Sequence, residues 1–327
     1  MKSQALLPRG NTVSWDSVFH VLGPTYRFGG EVIHDAIVYI DDHHWDEHSQ
    51  KFHVADLLAH NPGNHLLVFD HLAHDDQLAH LPHVCLPVYL AAETKQFIAA
   101  GIVPDWNHKR YCFNFMINKP RPHREWLLRM VDQHGLTSWR HSLPWRQSPC
   151  ASIPVTDYRF GPEQRLDRGI RNGAYLNCQT YQGLLQTAVF EPTCVSVITE
   201  PCWQEREVMI TEKTVMAIYA GTLPLWVGGW RLPDVMRELG FDVFDDVMDH
   251  GYSTLADPEQ RMQQAVSRNL HLLTDFDTVH DFVQANQHRL AENLALLETN
   301  PFLALVQKEL GRRPGLRPIA ERWGLRV

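Results

Sequence analysis

The chain has 327 residues, 44% of them hydrophobic and 21% charged, with a formal net charge of −8. That length accommodates two domains with real cores, and the composition excludes disordered, collagen-like and coiled-coil classes. A net negative charge also removes any global electrostatic argument for nucleic acid. No apolar run approaches the roughly 18 residues of a membrane span. The opening MKSQALLPRGN lacks the apolar stretch of a signal peptide, so the expectation is a cytoplasmic protein, in a bacterium or in a virus-infected host. Six cysteines (Cys85, Cys112, Cys150, Cys178, Cys194, Cys202) form no CxxC pair and read as buried reduced thiols.

In chain order, short apolar β-type runs predict strands at 36–40, 65–69, 84–90 and 111–117. A helix follows over 122–134, with Trp126, Leu127, Met130 and Val131 on one face and Gly135 as its stop. The stretch 143–162 holds four prolines and breaks the pattern. It reads as a linker between a domain at 1–145 and a second at 146–327, with the ligand cleft between them. A strand is predicted at 194–199. Next comes a helix from Thr211 that buries Val215, Ile218 and Tyr219 and ends at Gly221, and then a strand at 223–227. Further helices start at Pro233 and at Asp257-Pro258, and 276–297 reads as one long amphipathic helix. The alternation predicts an α/β protein with mostly parallel sheets.

Two segments carry candidate chemistry. In YCFNFMINKPRPHREWLLR, at 111–129, a strand ending at Asn118 passes through a proline-punctuated turn into a helix. The free N–H groups of that helix start make an anion seat, and Arg124 in its first turn can grip a phosphate. The alternative is that Arg121 and Arg124 are solvated surface charges. In the second segment, 195–229, strand, loop, helix and strand follow at α/β spacing, with Thr211 as N-cap and Glu212 and Lys213 in the first turn. A lysine there opposes the helix dipole, a local misfit that an anionic ligand would explain. The neighbouring carboxylate suits ribose hydroxyls. A capped helix with two exposed charges is the plainer reading of the tripeptide alone.

As an ordered set, these features resemble the donor-binding region of the α1,3-fucosyltransferase family, in its bacterial and viral branch. The residues that carry the likeness are Glu200 at a strand end, Thr211-Glu212-Lys213, and Gly221-Thr222-Leu223-Pro224. Asn118 with Arg124 six residues on, and LGFDVFDDVMDHGYS at 239–253, extend it over roughly 110–273. The resemblance implies a GT-B fold, two Rossmann-like domains facing a central cleft. It also implies a metal-independent, inverting glycosyltransferase that needs no cofactor and draws on a UDP- or GDP-sugar donor. By position, Glu200, Thr211 and Glu212 would seat the donor, with Glu212 on the ribose, while Lys213 and Arg124 neutralise the leaving diphosphate. Met209 stands where fucosyltransferases often carry tyrosine, so GDP-fucose does not carry over. An acidic residue of the first domain would be the general base. Asp42, Asp41 and Asp70 follow predicted strands, and Asp42 is favoured.

The default acceptor is a glycan hydroxyl. The viral flavour of 239–253, the basic stretch 109–171 and five arginines between 312 and 326 support an alternative, hydroxymethylated bases in phage-type DNA. A second alternative is a metal-dependent hydrolase, because twelve of the twenty histidines lie between His20 and His83. If helical, His44 and His48 would be i, i+4 neighbours able to share a zinc ion, although their spacing matches no zincin pattern. A nucleotide-binding module without catalysis is the non-enzyme reading; intact Glu212, Lys213 and Arg124 argue against it.

Overall fold

The computed structural model describes residues 19–22, 27–28, 31–32, 36–40, 65–69, 72–74, 83–101, 106–116, 122–136, 139–142, 190, 192–200, 203, 207–322 and 324–325. Its first half contains β1 (Phe19–Leu22), β2 (Arg27–Phe28), β3 (Glu31–Val32), β4 (Ala36–Ile40), β5 (His65–Phe69), β6 (Ala73–His74), β7 (His83–Cys85), α1 (Val88–Ala100), β8 (Tyr111–Met116), α2 (Pro122–Gln133) and β9 (Trp139–Ser142). The second contains β10 (Thr193–Ile198), β11 (Glu207–Val208), α3 (Glu212–Tyr219), β12 (Leu223–Trp226), α4 (Leu232–Glu238), α5 (Pro258–Arg268), α6 (Leu270–Thr274), α7 (Phe276–Ala285), α8 (Gln287–Glu298), α9 (Pro301–Arg312) and α10 (Arg317–Arg322). The protein is α/β, and the chain divides into two compact units, 1–92 with 302–327, and 93–301.

The first unit is built on a sheet of order β1-β4-β5-β7. β4, β5 and β7 run parallel, with Ile40 opposite Phe69 and Phe69 opposite Cys85, and β1 runs antiparallel at the edge. Leu66 and Val68, two apart on β5, are both buried, as the period of a strand requires. The strand expected over 84–90 stops at Cys85. Pro87 has no N–H for a ladder, and its carbonyl instead accepts from Ala91 N at 3.1 Å as α1 opens. The apolar run that reads as strand is buried helix: Val88, Leu90 and Ala91 are all at most 2% exposed.

The second unit carries an all-parallel sheet of order β12-β10-β8-β9. Strands from either side of the proline-rich stretch 143–162 therefore share one sheet. Counted along the chain from the β9 edge, the order is second, first, third, fourth, so the direction of winding reverses between β8 and β10. α2 lies between β8 and β9, and α3 between β10 and β12, as the crossovers that parallel pairing demands. α2 opens on Pro122 and closes on Gly135, which takes φ +58° while Leu136 N bonds back to Val131 O at 3.0 Å. α3 is not amphipathic: every residue from Lys213 to Tyr219 is buried. Its last turn abuts Gly221, at φ +57°, where a Cβ would lie 2.6 Å from the Trp106 ring. Trp106 Nε1 donates to Tyr219 O at 2.9 Å, and the Lys109 ammonium caps Ala220 O at 2.7 Å.

A polar seam crosses this sheet. Asn114 of β8 donates to Ser196 Oγ of β10 at 3.0 Å, and that hydroxyl meets Thr222 Oγ1 at 2.7 Å, where β12 begins. The apolar core on the sheet takes in Phe113, Phe115, Leu127, Val131, Val195, Leu225, Met262, Leu272 and Val279. The helix expected over 276–297 is two helices. Asn286, at φ −113° and ψ 22°, leaves helical geometry, and its side chain donates to Phe282 O at 2.8 Å, ending α7 before α8 starts. Within the core, Arg261 is fully buried and donates to three carbonyls, those of Gly228, Leu255 and Trp203. Cys112 and Cys194 are buried thiols, and burial pushes the Cys194 pKa up to about 12.

Candidate functional site

In open α/β sheets ligands bind outside the carboxyl ends of the strands, where the winding reverses. Here that point is the gap between the ends of β8 and β10. β10 ends at Ile198, and Thr199 and Glu200 follow it, exposed by 0% and 2% respectively. Arg124, in the first turn of α2 and 3% exposed, donates from Nη2 to Thr199 O at 3.2 Å. One residue on, both Glu200 carboxylate oxygens are used. Oε1 accepts from Thr211 N at 2.9 Å and from Thr214 Oγ1 at 3.3 Å, and Oε2 accepts from Thr211 Oγ1 at 2.6 Å. Burial raises the Glu200 pKa, against the pull of the Lys213 charge and the Thr211 hydrogen bonds.

Thr211 is the N-cap of α3, in extended geometry at φ −115° and ψ −179°. The Lys213 ammonium sits 2.9 Å from its hydroxyl, 3.3 Å from Glu212 Oε1 and 3.9 Å from Glu200 Oε2. The expected misfit of a lysine at a helix N-terminus is thus met from inside the chain, by two carboxylates and a hydroxyl. Glu212, one position before it, keeps a side-chain exposure of 15%, whereas Glu200 keeps 1%. Glu212 can still offer a carboxylate oxygen to a ligand hydroxyl; Glu200 is committed to holding Thr211 and Lys213. Of the residues expected to bind a donor, then, Arg124, Glu200, Thr211, Glu212 and Lys213 stand together at the ends of β10 and α3. Asn118 lies outside the described residues. So do Asp41, Asp42 and Asp70, which follow in sequence the paired ends of β4 and β5.

Sequence reasoning missed the support behind this cluster. Trp226 Nε1, at the end of β12, donates at 3.0 Å to Thr214 Oγ1, the same hydroxyl that reaches Glu200. His250 faces Trp226 with ring centroids 6.3 Å apart, and burial lowers its pKa. That histidine belongs to the 239–253 block, which has little regular structure yet is held tightly. Asp242 exchanges both backbone hydrogen bonds with the Asn293 amide, each 2.8 Å. Asp249 does the same with Asn269, at 2.9 and 3.0 Å. Between them Phe244 takes φ +61°, its N–H held by Asp242 Oδ1 at 2.8 Å. Arg289 lies over its ring at 4.8 Å while bonding Asp242 and Asp246. An aromatic residue at positive φ costs energy and marks a place worth testing for function. Nothing in the sequence pattern signals the asparagine partners, which sit fifty-one and twenty residues downstream.

Among the described residues no three His, Cys, Asp or Glu side chains are grouped so as to hold a metal ion; His44 and His48 lie outside them. No described helix is long and apolar enough to cross a membrane. No family model matches the chain, and comparison with curated proteins and with solved structures finds no match either.

Proposed function

We propose that this chain is a glycosyltransferase of GT-B architecture, moving a sugar from a nucleoside-diphosphate donor to a hydroxyl acceptor without a metal ion. One observation carries the reading. Two almost fully buried cations from different helices, Arg124 at 3% exposure and Lys213 at 7%, meet consecutive residues at the carboxyl end of β10, beside the reversal of winding. Buried cations are expensive, and a pair of them at the strand ends where open α/β sheets bind ligands is a functional pointer. Both cations come to one strand end, where burial raises the pKa of the Glu200 carboxyl against the pull of Lys213. Two cations at one strand end suit a diphosphate. Arg124 and Lys213 would stabilise the charge that develops on it as the glycosidic bond breaks, and Glu212 would accept from ribose hydroxyls. Asp42, with Asp41 and Asp70 as the alternatives, is the proposed base that takes the acceptor proton. The acceptor is a glycan hydroxyl; transfer to hydroxymethylated DNA bases is the competing outcome.

The test is a thermal-shift series with UDP, GDP, CDP and their sugar conjugates, with and without EDTA. A ligand at 100 times its dissociation constant stabilises the fold by about 2.7 kcal/mol, a readily measured shift. One nucleotide family should shift the melt in EDTA as it does without it. Lys213→Ala and Arg124→Ala should each lower turnover on the order of 10²-fold. Absence of a shift with every nucleotide, or both variants turning over like wild type, overturns the assignment.

A further inference from the structure

The first unit contains a cavity of about 350 Å³. One wall is the end of β7, His83 to Cys85, with Pro87 beyond it; the other is the last two turns of α9. Leu72, Val84, Pro87 and Leu305 supply an apolar part of the lining, and the more exposed Lys308, Arg312 and Arg313 supply a basic part. Glu309 holds both arginines, with Oε1 2.9 Å from Arg312 Nη1 and Oε2 bonded to Arg313 Nη1. A single carboxylate thus holds two arginines that both line the cavity. Lys308 makes no ion pair among the described residues.

Cations near a helix C-terminus complement its dipole, and one would suffice for that. Three within six residues do more, and Lys308 and Arg312 form an i, i+4 like-charge pair that weakens the helix. With one acid against three bases among the described lining residues, two positive charges are left over. An anion is what relieves that repulsion, and paired guanidiniums suit phosphate geometry. The apolar lining and the volume, at the small end of the roughly 300–1,000 Å³ of ligand pockets, suit a single ring beside the phosphate. We infer that the β7–α9 cavity binds the phosphate of a nucleotide-sized ligand, with Lys308, Arg312 and Arg313 on the phosphate and the apolar lining against the ring. It shares no residue with the proposed donor seat and stands whether or not that reading holds.

Isothermal titration of the full chain with adenosine 5′-monophosphate, inorganic phosphate and a 5′-phosphorylated single-stranded octanucleotide tests it. The monophosphate should bind more tightly than inorganic phosphate, and more weakly as salt rises. The charge reversal K308E/R312E, at exposed positions, should weaken both ligands at least about tenfold while the variant still melts cooperatively, and Lys213→Ala leaves them unchanged. If the octanucleotide loses affinity in the same variant, the phosphate belongs to a nucleic acid end; if only the monophosphate does, it belongs to a free nucleotide. Equal binding by wild type and K308E/R312E overturns the inference. So does loss of monophosphate binding in Lys213→Ala alone, which would put the phosphate at the β8–β10 crevice instead.

Discussion

Replacing Arg261 with methionine keeps most of the buried volume and removes every donor. The guanidinium is 0% exposed and supplies Gly228 O at 2.8 Å, Leu255 O at 2.7 Å and Trp203 O. Leu255 is only partly buried, so water can replace the arginine at its carbonyl. The carbonyls of Gly228 and Trp203 are left stranded, at about 1–3 kcal/mol for each unsatisfied group, so the loss should be about 2–6 kcal/mol. In a unit of this size that is on the order of 5–15 °C in melting temperature. Urea unfolding followed by far-UV circular dichroism reads it as a lower midpoint at unchanged slope. Arg268→Met is the control: its guanidinium is 38% exposed and pairs with Asp249 at 3.2 Å, so its loss should stay under about 1 kcal/mol. If Arg261→Met unfolds within about 1 kcal/mol of wild type, the three carbonyls do not depend on this side chain and the reasoning fails.

Gly221→Ala should cost about 2–4 kcal/mol, combining a strained φ of +57° with a Cβ only 2.6 Å from the Trp106 ring. Adding Trp106→Ala should recover part of that cost, and a purely additive double mutant in thermal melts would rule out the contact. Glu200→Gln tests the buried carboxyl through pH. Its pKa lies above the usual 4.5 because of burial, so the folded state holds the proton more tightly than the unfolded chain. The stability this proton brings is full below pH 4.5 and is lost as pH rises through the raised folded value. The melting temperature of the glutamine variant should therefore gain on wild type from pH 4.5 upward, and a difference that stays constant with pH would refute the assignment.

The elements that frame the candidate site were readable because their signals are local. Pro122 and Gly135 bracket α2, Thr211 caps α3, and the β-branched run before Glu200 makes a strand buried on both faces. The misreadings arose where a local signal was ambiguous. Residues 84–90 are apolar without period, and only the missing N–H of Pro87 separates strand from helix there. Residues 276–297 keep one amphipathic period across Asn286, whose side-chain bond to Phe282 O breaks the helix at a residue that propensity alone would tolerate. For Lys213 the pattern was real but its explanation incomplete, since a carboxylate eleven residues before Thr211 in the chain supplies part of the countercharge. Arg261 and the two asparagines were out of reach for a different reason. Their partners are main-chain atoms of distant segments, and main-chain atoms leave no trace in a residue pattern.

The same fact bears on how the 239–253 loop can change. Asn269 and Asn293 each present an amide that stands in for the edge of a neighbouring strand, offering one donor and one acceptor to Asp249 and to Asp242. A loop fastened by its backbone leaves its own side chains at liberty to vary. Phe244 and Met248, between the two fastenings, are core and stay fixed, whereas Asp245, which is exposed, and the partly buried Val247 can be exchanged without unpicking the hold. A library randomised at those positions, with both asparagines intact, has a fixed platform on which to select new ligand preferences.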